Sequence, residues 1–402
     1  MIGRTYPRRH QMPWQRAVVT ALLLLGLTAC GGNLAAEDPL TPIPTRIDPK
    51  TIEPLPLIQM WQVTPPEPAD DEEDLPVPKV PGAVGDLHAY VARGDELLAF
   101  ELDAGRPAWS LTLGAEAVAP LLGTPTGVAV ATATAWLLVD SQGRLQGTLP
   151  LGSAPLAAVG LGSDIVQVDG SSVRRLRLHP PEQAGEIWSH GLDGAATVAL
   201  APGAGMAVIT TVGGDAVAVD LDSGRRTWQA QEPRVRAIRA AVSDSHAIVV
   251  GEDSRLHALR LRDGKRSWTS KDIGVQVEAA PAILGGIVWV GGLDSALHGY
   301  QPGGSHLFRL PMPGRVFVDL VTWGRWVIVS PQYGPWSTVR APLQRNGPAD
   351  PGQPRAVNLA SNADLEVRPA VGAAGVLTTD ANGVIRMFAP TDSPVEQAGE
   401  QR

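Results

Sequence analysis

The stretches AVAVDLDSGRRTW (216–228) and LHALRLRDGKRSW (256–268) repeat one order of groups forty residues apart. An apolar run gives way to acidic and basic side chains around a glycine and ends on tryptophan. Carboxylates beside cations could bind ions. Asp222, Gly224, Arg225 and Arg226, with Asp263, Gly264, Lys265 and Arg266, therefore form the first candidate site. Turn chemistry explains the same residues more simply: Asp accepts backbone N–H groups, Gly takes positive φ and the cations face water. Recurrence in each repeat favours the turn, because a catalytic site is built once, from unlike side chains. His257 and His298 hold equivalent places in successive repeats, which marks them as strand positions. His88, His179, His190, His246 and His306 show neither HxH nor HExxH spacing. No GxSxG elbow occurs. No catalytic residue, metal ligand or cofactor site is expected.

Thiol chemistry is confined to Cys30, which excludes an intramolecular disulfide, a Cys-rich zinc site and a CxxC redox pair. Cys30 follows Leu27, Thr28 and Ala29, at the end of an apolar run (17–27) preceded by Arg4, Arg8, Arg9 and Arg16. A bilayer span takes ~20 apolar residues, so this shorter run reads as the core of a signal peptide. Leu-Thr-Ala-Cys resembles the bacterial lipobox. That resemblance implies a lipoprotein signal peptide at 1–29 and a mature N-terminus at Cys30 that carries acyl chains such as palmitate. An ordinary secretory signal is the alternative.

Residues 30–56 and 64–80 are Pro-rich, and 37–80 hold ten Asp and Glu against Arg46, Lys50 and Lys79. Such segments bury no core and self-repel, so they read as linkers. Between them LIQMWQV (57–63) has the character of a strand, and 391–402 reads as a disordered tail.

The elements that would position these residues follow from punctuation. With 44 Gly and 36 Pro in 402 residues, short strands and turns fit better than long helices. A net charge of −8 does not suggest a nucleic-acid groove. Trp109, Leu149, Trp188, Trp228, Trp268 and Phe308 follow one another at 39–40 residues, with period-two alternation inside the intervals. A repeat of this length holding several short strands indicates propeller blades. Six blades end by 308, and 309–389 leaves room for two more. The last, RPAVGAAGVLTTDANGVIRMFAP, lacks an outer Trp strand, which 57–63 supplies with Trp61. The expectation is an all-β, eight-bladed β-propeller of four-stranded antiparallel blades over 81–390, closed by 57–63. Seven blades is the alternative count.

The phrases AFELDAGRPAW, AVDLDSGRRTW and ALRLRDGKRSW resemble the repeat of quinoprotein-like (PQQ-type) propellers. In that family the Trp ends the blade motif and packs between neighbouring blades. The likeness runs over about 60–389 and is strongest over 92–305. Many alcohol-oxidising members stack their quinone on a disulfide of adjacent cysteines, impossible here, and no calcium-binding carboxylate cluster matches. Quinone is therefore not expected. With its lipobox and spacer, a propeller of this length resembles the lipoprotein scaffolds of outer-membrane β-barrel assembly. This implies a non-catalytic, monomeric scaffold, lipid-tethered to the outer membrane and facing the periplasm. Its partner would be a protein of the β-barrel assembly machinery, not a nucleic acid. A quinone-dependent or small-ligand-binding propeller and a surface sensor or adhesion module are the alternatives. The candidate partner surface lies where the ladder breaks, at Trp323, Arg325, Trp326, Tyr333 and Trp336, with RVRAIR (234–239) as a second.

Overall fold

The computed structural model describes residues 57–65, 76–271, 273–332, 336–341, 356–358 and 367–390. Leu27, Thr28, Ala29 and Cys30, the linker 30–56, most of 64–80, Tyr333 and the tail 391–402 lie outside the described residues. Within them, short apolar runs separated by glycine turns form eight antiparallel sheets of four strands. In chain order the blades occupy 83–112, 122–150, 157–191, 195–230, 241–269, 282–311 and 321–358. Blade eight joins three strands within 370–390 to Leu57–Val63. The count is eight, the larger of the two that the ladder allows.

First strands of successive blades approach one another and line the centre of the ring. Middle strands are wedged between two neighbouring blades, so both of their faces are buried. Gly127–Ala131 (GVAVA) and Ala216–Val219 are buried throughout. That explains why these runs are rich in Ala and Val: a strand covered on both sides has no wet face to encode. Outer strands expose alternate residues, as in Pro107–Thr112.

Closure comes from pairing the two ends of the propeller. Leu57–Val63 runs antiparallel to Ile385–Pro390, with Trp61 opposite Met387. A bulge one residue before the ladder position recurs in every outer strand except that of blade seven. Such a bulge re-aims the next side chain. Here it directs the ladder Trp toward the third-to-fourth-strand turn of the following blade. Trp188 donates Nε1–H to Leu221 O at 2.7 Å, and its ring covers Gly224, whose φ is +67°. A Cβ at Gly224 would sit 2.5 Å from the indole. Trp228 repeats this on Leu261 O and Gly264. Trp61 and Trp109 donate to Leu102 O and Ser141 O at 2.8 Å. Trp268 lies against Gly304.

Two ladder positions differ. In blade two the register places Gly147, not Leu149, opposite Leu138 just beyond the bulge, the place of the other tryptophans. Leu149 lies two residues further on, paired with Trp136 and packed on that blade's core. The gap is filled from the other side. Blade three replaces its Gly turn by a single 3-10 turn, Pro181–Gln183, and Pro181 covers Gly147. A large–small seam has become a small–large one. Phe308 instead folds over Gly299 of its own blade and packs on Trp289, with ring centroids 5.3 Å apart.

Candidate functional site

The repeated carboxylates serve turns. Asp220 Oδ1 accepts the N–H and hydroxyl of Ser223 at 2.8 and 2.6 Å, so Asp220 closes that turn, while the Asp222 carboxylate is 96% exposed and pairs with Arg175. Asp263 accepts the Lys265 N–H at 3.1 Å and pairs with Arg260 at 2.9 Å. In blade two Asp140 accepts the N–H groups of Gln142 and Arg144, both at 2.9 Å, and also Arg144 Nε and Gln146 Nε2. Burial alone would raise its pKa, but these donors outweigh it and hold it below the ordinary 3.8. Hydrogen bonds outweigh burial in the same way at Asp169 and Asp294, and the Ser223 donors lead at Asp220.

A carboxylate whose pKa is lower in the folded state stabilises the fold above its unfolded value. That stabilisation is lost as pH falls through the folded value. Urea midpoints are therefore expected to hold steady above about pH 5 and to fall below about pH 4. Asp140→Asn should lower the midpoint at pH 7 and make the acid slope shallower. An unchanged acid slope would remove Asp140 from this role.

Antiparallel pairing puts the second-to-third-strand turns and the links between blades at one end of the ring. RVRAIR lies in such a link, ahead of blade five, and its arginines form a row of decreasing exposure. Arg234 meets Glu252 at 3.0 Å with both half-exposed. Arg236 meets Glu278 at 2.6 Å, more covered. Arg239 meets Asp319 at 3.2 Å, with both side chains about 5% exposed (5% and 6%). This row runs from the rim into the channel mouth. His257 and His298 are buried near the same end, bonded to Asp253 at 2.9 Å and Asp294 at 3.2 Å in the turns before them. Their matching places are strand positions fixed by a turn carboxylate.

Among the described residues the blade-seven tryptophans do not form an exposed surface. Trp336 is 1% and Trp326 7% exposed. Trp336 packs edge-on against Phe388 of blade eight, centroids 4.8 Å apart, and Trp323 donates to Gly372 O of blade eight at 2.9 Å. Arg325 is half-buried at the adjacent hairpin tip. Trp323 and Trp336 of the expected partner surface thus fill the seam between blades seven and eight, where blade seven lacks a ladder Trp, and Trp326 is buried.

Sequence reasoning missed Arg239, Asp319 and Arg368 as a group. Each stands two residues ahead of the first strand of its blade, five, seven and eight respectively. Aligning repeats from the inner strands, not from the Trp ladder, would have brought them together. Among the described residues no three His, Cys, Asp or Glu side chains converge as metal ligands.

A family model described as Outer membrane protein assembly factor BamB matches residues 172–316, from blade three to the approach of blade seven. The Outer membrane protein assembly factor BamB of Yersinia pestis is 24% identical over 234 residues, covering 52% of this chain and 58% of that protein. The match therefore spans less than two thirds of this relative. The structure of BamB from Moraxella catarrhalis aligns with TM-score 0.60 and 16% identity, over 84% of this chain and 98% of that one. The computationally designed protein Ika8 aligns at TM-score 0.62 and 12% identity, over 79% of this chain and 98% of its own. Sqt1 of Saccharomyces cerevisiae aligns at 0.62 and 11%, over 79% and 100%. These structural likenesses show the fold alone.

Proposed function

The chain is a PQQ-type repeat β-propeller resembling BamB, and on that premise we propose that it is a membrane-anchored scaffold for outer-membrane β-barrel assembly. The observation that carries this reading is where the repeat's polar residues go. Asp, Gly and Trp are consumed in turns and seams, so blade-to-blade individuality is left to loops and outer strands. A rigid ring that presents loops binds with little ordering cost. Outer strands such as Pro107–Thr112, with alternate residues exposed, suit addition of a partner strand. Cys30, behind Leu27-Thr28-Ala29, takes the lipid, and the Pro-rich linker sets the propeller off the membrane on the periplasmic side. More than one acyl chain makes such an anchor stable.

The test is co-purification from crosslinked membranes, comparing the wild type with Cys30→Ser. The wild type should fractionate with the outer membrane and enrich a subunit of the β-barrel assembly machinery. Cys30→Ser should leave the membrane fraction and lose most of that enrichment. Equal fractionation and capture by the two proteins would contradict the anchored-scaffold reading.

A further inference from the structure

Arg368 is buried with no ion pair of its own among the described residues. Its side chain sits in the link before blade eight, its residue 9% exposed, with Nε and Nη1 both buried and unbonded. Arg239 Nε is likewise buried and unbonded, while its Nη2 holds Asp319. The other Asp319 oxygen accepts the Ala280 N–H at 2.7 Å. Among the described residues one carboxylate, already partly engaged, therefore serves two buried guanidiniums, which leaves one positive charge over.

Burial, reinforced by Arg239 and opposed by Asp319, pushes the Arg368 pKa down to about 9, so it stays protonated at neutral pH. Buried charges in native proteins are paired, and an unpaired one calls for a ligand or ion. Arg239, Ala280, Asp319 and Arg368 hold the same station in blades five to eight, two residues ahead of the innermost strand. All four stand at one mouth of the channel. Nothing in the turn or seam chemistry of the repeat requires a cation there.

We propose that this mouth binds a small free oxyanion, a carboxylate or phosphate, through Arg368 and the free Nε of Arg239. Asp319 holds Arg239 in place and limits the site to one net negative charge. Guanidinium groups suit this task because their planar N–H donors match oxyanion geometry.

The test uses the purified full chain at constant ionic strength, with chloride replaced stepwise by acetate or by inorganic phosphate. The melting temperature should rise and saturate with both oxyanions. Phosphate also stabilises proteins without binding, so the variants carry the comparison. Arg368→Met should melt no lower than the wild type in chloride and should lose the saturating response. Arg368→Lys should retain it at weaker affinity. Loss of the buried charge should weaken phosphate binding by more than about tenfold. The Nε–H resonances of the wild-type arginines supply a reading that needs no variant: two buried signals should shift on phosphate titration. A wild type indifferent to acetate and phosphate, or Arg368→Met responding as the wild type does, would overturn the site.

Discussion

Replacing Trp228 with alanine is expected to destabilise the propeller by about 3–5 kcal/mol, the usual result of removing a large buried aromatic. The indole is 7% exposed, packs with the cluster spanning blades four and five, and donates Nε1–H to Leu261 O. Gly264→Ala attacks the same seam from the other side. Its φ of +67° disfavours any side chain, and a Cβ there would lie 2.6 Å from Trp228. Strain and overpacking together should cost about 2–4 kcal/mol. The double variant decides whether these are one interaction. Once the indole is gone the clash goes with it, so Gly264→Ala in the Trp228→Ala background should cost only the φ strain, about 1–2 kcal/mol. Urea unfolding of the four proteins measures the cycle. Strict additivity would mean that Trp228 and Gly264 act independently, against the seam described here.

Excision of residues 57–63 is the second large effect. Those residues supply the outer strand of blade eight and the Trp61 wedge onto the Gly105 turn of blade one. Without them the outer edge of Ile385–Pro390 is unpaired and the Trp61–Phe100 contact, 6.0 Å between centroids, is lost. An unpaired edge beside an opened core invites intermolecular pairing. The excised protein should elute from size exclusion as aggregates and lose its cooperative thermal transition. Trp61→Ala keeps the strand and should cost about 3–5 kcal/mol while remaining monomeric. A monomeric excision variant with an unchanged melting temperature would contradict closure by this strand.

How far the sequence discloses this architecture depends on what each residue must do. Trp109, Trp188, Trp228 and Trp268 are legible because their seams ask for the same wedge, and each lies across from a Gly that is equally recognisable. Where both partners change together the signal vanishes. Gly147 and Pro181 fill their seam as well as Trp and Gly would, but neither marks a ladder, and the period alone points to Leu149. Blade seven misleads for a related reason. Its tryptophans cluster in sequence as an exposed binding patch would, yet Trp336 and Trp323 reach into blade eight. Trp136 and Trp289, both fully buried, lie off the ladder in middle strands, where their indoles find Gln167 and Leu284 O. The Arg239–Asp319–Arg368 group is dispersed over 130 positions and becomes a neighbourhood only when the ring closes.

The acidic and basic residues that first suggest repeated chemistry therefore belong to turns, and the proposed scaffold role leaves recognition to the loops and rims. The most direct measurement of that claim is photo-crosslinking in intact cells from single probe residues on each side of the ring. Val212 and Phe317, 72% and 38% exposed, report the end that bears the arginine row. Leu87 and Leu145, 64% and 52% exposed, report the opposite end. The scaffold account predicts that probes at one end, and not the other, capture a subunit of the β-barrel assembly machinery, identified by mass spectrometry. Capture of no such subunit from any of the four positions would contradict it.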